Sequence, residues 1–447
     1  MGDGPMVKEK KMKCDTLLLG MVLTMDDDNS VHPQGGVAVC GDSIAAVGPA
    51  DELRARFAAA ETIEISNGLI MPGLVNVHTH AAMSCMRGLA DDLPLMTWLQ
   101  EHIFPVEATL TGDMVYHAAL LSMVEMIKSG TTSFCDMYLF AGDVARAAEK
   151  SGMRAWVGEV LYDFPSPCYG ELANGYRYVE EMLSAFHGHP LVSVTVDPHA
   201  VYTCAPDLLV RLKEMADRHG CRYVIHLSET EDEVKTVLER YGKRPVGHLA
   251  SLGILDGSVV ADHCVWLTDD EIALLAEKKV KVAHCPESNM KLASGVAPVP
   301  DLLAAGVTVG LGTDGSASNN DVDLFAEMDM CAKVHKVHRL DPTVMTAEET
   351  LSMATRGGAR VLGAEQDIGT LESGKKADII VVDLNKPHLT PLYHPASQLV
   401  YAVKGSDVVH SMINGKFVMR DRKLTLLDED AIMAGVNEIA AGLTGKS

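Results

Sequence analysis

Alternating apolar and polar positions divide the chain into two textures. Over roughly the first 65 residues, short runs of Val, Leu and Ile are punctuated by Gly and Asp, the pattern of a small β-sheet module. Examples are "CDTLLLGMVLTMD", "GGVAVCGDSIAAVG" and "ETIEISNGLIMPG". The same texture returns near the C-terminus in "KADIIVVDLN" and "VVHSMINGKFVMRD". Two β-rich ends around a long middle predict that the termini pair. The organisation expected is a disordered leader over 1–12, a composite β-sandwich from 13–68 and 369–425, a barrel over 69–368, and a C-terminal helix and tail over 426–447.

The middle repeats differently. Apolar, β-branched runs recur at 131–137, 154–161, 191–200, 222–229, 258–265, 279–289 and 307–315, as expected of buried strands. Most of the intervals carry helical spacing. "TGDMVYHAALLSMVEMIKSG" stops at Gly130 and "APDLLVRLKEMADRHG" at Gly220, each glycine a predicted C-cap. With "LIMPGLVNVHTH" the strands number eight, so the fold class expected is α/β, a (β/α)8 TIM barrel. "TAEETLSMATRGGARVLG" follows the eighth strand and opens with a capping box, Thr346 and Glu349, which predicts a closing helix.

In such a barrel the chemistry sits at the C-terminal ends of the strands. Those ends carry His78 and His80, Asp136, Glu159, His199, His226 with Glu229, His263, His284 and Asp314. A lone histidine in an apolar run is ordinarily a hydrogen-bonded core residue; six at matching strand ends form a pattern. His78 and His80 stand two apart in a strand, so both rings project into one small volume. With His226 and Asp314 they compose a mononuclear divalent-metal site, where imidazole and carboxylate suit zinc or iron(II). "LVSVTVDPHA" offers no lysine to bridge a second ion, which favours a single metal. Glu229 reads either as a helix-start acid in "SETEDEV" or as a catalytic group, and Asp314 either as a turn aspartate or as a ligand.

Composition narrows the partners more than the reaction. A net charge of −23 and a pI of about 5.1 argue against a basic surface for nucleic acid or anionic membranes. Apolar runs stay short of the ~18 residues that span a bilayer, and the start lacks a signal-peptide pattern, so a cytoplasmic protein is expected. The ten cysteines are scattered without a CxxC pair and are expected as free thiols.

Together "PGLVNVHTH", "HLSE", "ADHC", "HCPESNMKL" and "LGTDGSASNN" resemble the amidohydrolase superfamily in its single-metal aminohydrolase branch. "MTWLQEHIFPVEA" and the stretch from "HCPESNMKL" to "LGTDGSASNN" are most similar to the 5-methylthioadenosine/S-adenosylhomocysteine deaminases. The resemblance implies that His78, His80, His226 and Asp314 hold one ion, zinc first and iron(II) as the alternative. It implies that Glu229 shuttles protons, that His263 orients the attacking water, and that Asp314 takes the water's proton. It further gives Glu107 in "FPVEA" to the ribose hydroxyls and makes His199 a substrate contact beside Glu229 and Asp314. Arg177 in "GYRYVEE" is the nearest candidate for a loop arginine that contacts substrate in some members, and Trp98 is a candidate cover for the base.

The reaction implied is hydrolytic loss of the 6-amino group from S-adenosylhomocysteine, 5′-methylthioadenosine, 5′-deoxyadenosine or adenosine. The rivals are a guanine, cytosine or triazine hydrolase on the same frame, and a barrel that binds without turnover. A small-molecule nucleoside partner and a homo-oligomer are implied. The loops over 81–107 and 162–178, with Met83 and Met86 in the first, are expected to read the 5′ group.

Overall fold

The computed structural model describes residues 11–443. Of the expected leader, 1–10 lie outside the described residues, as does the tail over 444–447, whereas Met12 already opens a strand. Four strands come first: β1 (Met12–Leu23), β2 (Val31–Cys40), β3 (Ser43–Pro49) and β4 (Phe57–Pro72). The barrel strands follow as β5 (Leu74–Thr79), β6 (Thr131–Tyr138), β7 (Arg154–Leu161), β8 (Val192–Val194), β9 (Asp197–Pro198), β10 (Tyr223–Leu227), β11 (Val259–His263), β12 (Lys281–His284) and β13 (Thr308–Leu311). The chain then returns through β14 (Ile379–Asp383), β15 (Val408–Ile413), β16 (Lys416–Arg420) and β17 (Lys423–Leu424), and the helix Glu429–Leu443 follows.

The two chain ends do pair. β14 runs antiparallel to β4, which joins both ends in one eight-stranded sheet ordered β17-β16-β15-β14-β4-β1-β2-β3. Alternation along β1 puts Leu18 and Val22 into one apolar core with Val37, Ile379 and Val381. Leu17 and Leu19 enter another, with Leu53 of the helix Ala50–Arg56. A single mixed sheet with a core on each face is thus what stands at the place of the expected sandwich.

The middle is a curled parallel sheet. Ladders join β5-β6-β7-β8 and β10-β11-β12-β13, while β9 pairs with β7. Parallel bridges Val196–Tyr223 and Ala200–His226 link the fourth strand position to β10, and Thr79–Asp314 brings the end of β13 back to β5. The fourth predicted strand is interrupted, with β8 and β9 its two pieces. Every residue of β6 and β7 is buried, which is why both spell continuous apolar runs rather than alternation.

The predicted helix ends are close to those observed. Thr111 caps the helix Gly112–Lys128 by accepting the Met114 N–H, and Ser129 closes it. Gly130 lies one residue beyond, at φ 89°. Gly220 caps Pro206–His219 in the left-handed region, and Thr346 with Glu349 forms the expected capping box. All ten cysteines are free. Among the described residues no helix is long and apolar enough to cross a membrane.

Candidate active site and metal centre

β5 brings the first two rings in from below. Thr79, on the opposite face of that strand, anchors it by donating to the Cys135 carbonyl at 2.8 Å and to Asp136 at 3.0 Å. The buried His78 ring and the His80 ring just past the strand end then lie edge to face, with centroids 4.9 Å apart. β13 supplies Asp314 through a close approach. A Cβ on Gly312 would sit 2.8 Å from that of His78, so only glycine lets the chain pass there. Asp314 itself takes a left-handed backbone, φ 61°, as do Ser228 at 52° and His263 at 68°. Such conformations persist where surrounding structure enforces them, and here they cluster around one site.

Three of four side chains, His80, His226 and Asp314, have the outer atom hydrogen-bonded, and all four turn the other atom inward. Nδ1 of His80 donates to the Met137 carbonyl, and Nδ1 of His226 lies 2.8 Å from the His199 carbonyl. Carbonyl acceptors place the ring proton on Nδ1, which leaves the Nε2 lone pair pointing inward. Nδ1 of His78 meets Asp262 at 3.1 Å, off the line of a straight hydrogen bond. Oδ2 of Asp314 accepts from Ser288 at 2.6 Å and from Ser318 at 2.7 Å. The inner atoms converge. Oδ1 of Asp314 lies 3.5 Å from Nε2 of His78 and 3.1 Å from Nε2 of His80, and Nε2 of His226 stands 3.4 Å from that of His80. Asp314 Oδ1 and His78 Nε2 are buried without a hydrogen-bond partner. Buried lone pairs aimed at one point, each tethered from behind, fit a divalent cation.

The charges agree with that fit. Burial alone would lower His78, yet Asp262 and Asp314 outweigh it and hold the ring well above the usual histidine range. Asp314 raises His80 against its burial in the same way. Burial would raise Asp314, but the two rings hold it well below the usual carboxylate range. Those directions favour a positive charge beside Asp314, as a bound cation would supply. His226 is pushed well below its ordinary value by burial and by the neighbouring His199 and His78, and stays neutral.

A cavity opens above these atoms. His80, His226, His263, Glu229 and Asp314 form its floor. Glu229 is only 8 % exposed, and burial raises its carboxyl against the opposing pull of His263. Its loop is clamped by Glu233, which accepts the N–H of Ser228 at 2.9 Å and of Glu229 at 2.7 Å. His263 directs Nδ1 to Asn289 Oδ1 at 2.9 Å, and its ring is stacked on His226. Glu107 and His199 also line the cavity. Burial raises the Glu107 carboxyl, and burial with His80 pushes His199 down to about 3. Trp98 lines the wall with its Nε1–H buried and without an acceptor. Met83 reaches the cavity; Met86 is buried elsewhere in the core.

Other expected positions fall outside. Arg177 projects from the helix Leu172–Ala185 into solvent, bonded to Asn174 at 3.0 Å and 3.8 Å from Glu181, and does not reach the cavity. Asp136 lies beneath β5, accepting the Ala81 N–H at 2.5 Å. Glu159 accepts the Ala141 N–H at 2.8 Å and is raised to about 8 by burial. His284 pairs with His335, Nε2 to Nε2 at 3.1 Å, beside Cys331. Conversely, the supports Asp262, Ser288, Asn289, Ser318 and Glu233 escape a reading of strand ends. The motifs "ADHC", "HCPESN" and "SASNN" contain most of them, but no spacing marks which atom each would hold.

Similarity to known proteins points the same way. Residues 69–418 match the model of the Amidohydrolase family. The chain is 56% identical to the 5-methylthioadenosine/S-adenosylhomocysteine deaminase of Syntrophobacter fumaroxidans, over 96% of this chain and 98% of that protein. It is 44% identical to the 5′-deoxyadenosine deaminase of Methanosarcina mazei, over 95% and 97%. Its fold superposes on the crystal structure of an adenosine deaminase from Xanthomonas campestris with bound zinc, at a TM-score of 0.96 and 39% identity, covering 98% of this chain and all of that one.

Proposed function

The chain belongs to the amidohydrolase family, among its 5-methylthioadenosine/S-adenosylhomocysteine deaminases, and on that premise we propose how its residues act. It is a metal-dependent hydrolytic deaminase that converts adenosine-type nucleosides to the inosine product and ammonia. The observation that carries this reading is the convergence of four tethered inner atoms beside a buried carboxyl at the floor of one cavity.

His78, His80, His226 and Asp314 would hold one divalent ion, zinc by the donor set, with iron(II) as the alternative. When bound, such an ion supplies the Lewis acidity that brings the pKa of water from 15.7 toward ~7. Asp314 takes the proton of the attacking water, its Oδ2 meanwhile fixed by two serine hydroxyls. His263, tethered by Asn289, holds that water in line with C6 of the base. Glu229, whose burial favours the neutral acid, donates to the ring nitrogen beside C6 and so makes that carbon electrophilic. Asp314 then passes that proton to the amino group, which leaves as ammonia, while the proton of the C6 hydroxyl goes to Glu229 and restores the acid. Glu107 and His199 line the cavity where a ribose would lie, and Trp98 lines its wall. The resemblance supports a cytoplasmic homo-oligomer.

Ammonia release from zinc-loaded protein offered adenosine-type nucleosides, adenine, guanine and cytosine tests the reading, with Glu229→Gln alongside. Turnover of the nucleosides, lost in the variant, is expected. Activity confined to free bases would contradict it.

A further inference from the structure

The floor and the wall of the cavity are made of different materials. Above the polar floor, Leu95, Trp98, Leu99, Phe104, Tyr162 and Leu292 form the wall. Tyr162 stacks on Phe164 with ring centroids 3.8 Å apart and planes 14° apart, and Phe104 stands 6.0 Å from the same ring. Phe164, 39 % exposed, carries this aromatic surface toward solvent.

The charged side chains that line the cavity are carboxyls, Glu107, Glu229 and Asp314; among the described lining residues none is Lys or Arg. Cations near the wall are already engaged. Lys291, next to Leu292 in sequence, bonds Asp91 at 2.6 Å and the Ala317 carbonyl at 3.1 Å. Arg240 donates to the Tyr202 carbonyl at 2.9 Å. Arg177 lies on the outer surface with Glu181.

Substrates of the proposed reaction share the base and ribose and differ at the 5′ position. With the base at the polar floor and the ribose beside Glu107 and His199, the 5′ substituent meets the apolar wall. A methylthio group or a bare methyl buries there without leaving a polar atom unpaired. The homocysteine tail of S-adenosylhomocysteine, with an ammonium and a carboxylate on one carbon, instead brings that carboxylate toward aromatic rings and the half-buried Glu107, where it loses water and gains no cation from the lining residues. We propose that this chain selects nucleosides whose 5′ group is small and carries no carboxylate, 5′-methylthioadenosine and 5′-deoxyadenosine, and discriminates against S-adenosylhomocysteine. The inference rests on the deaminase reading above and narrows its substrate class.

The test compares kcat/KM for 5′-methylthioadenosine, 5′-deoxyadenosine, S-adenosylhomocysteine and 5′-(3-aminopropylthio)-5′-deoxyadenosine, whose tail is long but lacks the carboxylate. The expected result is a preference for methylthioadenosine over S-adenosylhomocysteine of at least about tenfold, with the aminopropyl analogue in between. Leu95→Arg, at the half-buried rim, is expected to narrow that gap by placing a cation at the mouth. S-adenosylhomocysteine turned over as well as methylthioadenosine would overturn the proposal, and an aminopropyl analogue as poor as S-adenosylhomocysteine would overturn its electrostatic basis. Equilibrium binding of the same nucleosides to Glu229→Gln gives the order without turnover. If nothing is deaminated and methylthioadenosine still binds at least about tenfold more tightly, only the deaminase reading fails.

Discussion

Two histidine groups meet at the ends of barrel strands, the second joining His284 of β12 to His335 of the helix Leu324–Arg339, and they differ in what stands behind each ring. In the first, His78, His80 and His226 are each tethered from outside by an oxygen and turn an inner nitrogen toward Asp314 or toward one another. In the second, His284 and His335 face each other at 3.1 Å. Burial lowers both of those rings, His284 well below its ordinary value with His335 beside it, and His335 to about 4. The first group has a carboxylate to share; the second has the Cys331 thiol in its place. A histidine at a strand end is therefore a ligand by virtue of its second partner, not its position.

The sharpest way to break the comparison is to remove the shared carboxylate. Asp314→Asn is expected to lose metal and more than about 10⁴-fold in kcat/KM, since it removes an inner ligand atom and the proton acceptor together; metal analysis and steady-state kinetics check both. Glu229→Gln should cost about 10²–10⁴-fold in kcat while metal content stays unchanged, which separates proton transfer from ion binding. Because burial raises the Glu229 carboxyl, the competent acid form dominates below its raised pKa and is lost as pH rises through it. The alkaline fall in kcat should therefore vanish from the residual activity of that variant.

Smaller changes act behind the ligands. Asp262→Asn leaves His78 in place but weakens its anchor, and is expected to reduce metal affinity by about 10–100-fold, read by competition with a chelator. His335→Ala should leave metal stoichiometry unchanged and cost about 1–3 kcal/mol of stability in urea unfolding, by leaving His284 Nε2 without its partner. Metal loss on that substitution would erase the contrast between the two groups.

How far sequence reasoning reached follows from which interactions are local. Strands buried on both faces spell unbroken apolar runs, so the barrel was legible, as was the pairing of two β-rich ends. The break between Val194 and Asp197 was not, because "LVSVTVDPHA" keeps the same texture through the interruption. His78, His80, His226 and Asp314 stood out at strand ends. Their supports did not, since Ser288 reaches Asp314 and Asn289 reaches His263 across 26 residues each, from the short helix Pro286–Lys291, whose placement no periodicity encodes. Arg177 shows the opposite failure. Its segment winds into the helix Leu172–Ala185, and the helical turn carries the guanidinium to the outer surface.

The most direct test of the central claim is a zinc titration of the metal-free protein, following deamination of 5′-methylthioadenosine. Negligible activity without metal and a linear rise that breaks at one equivalent per chain are expected. Activity that persists without metal, or a break at two equivalents, would contradict a single ion held by His78, His80, His226 and Asp314.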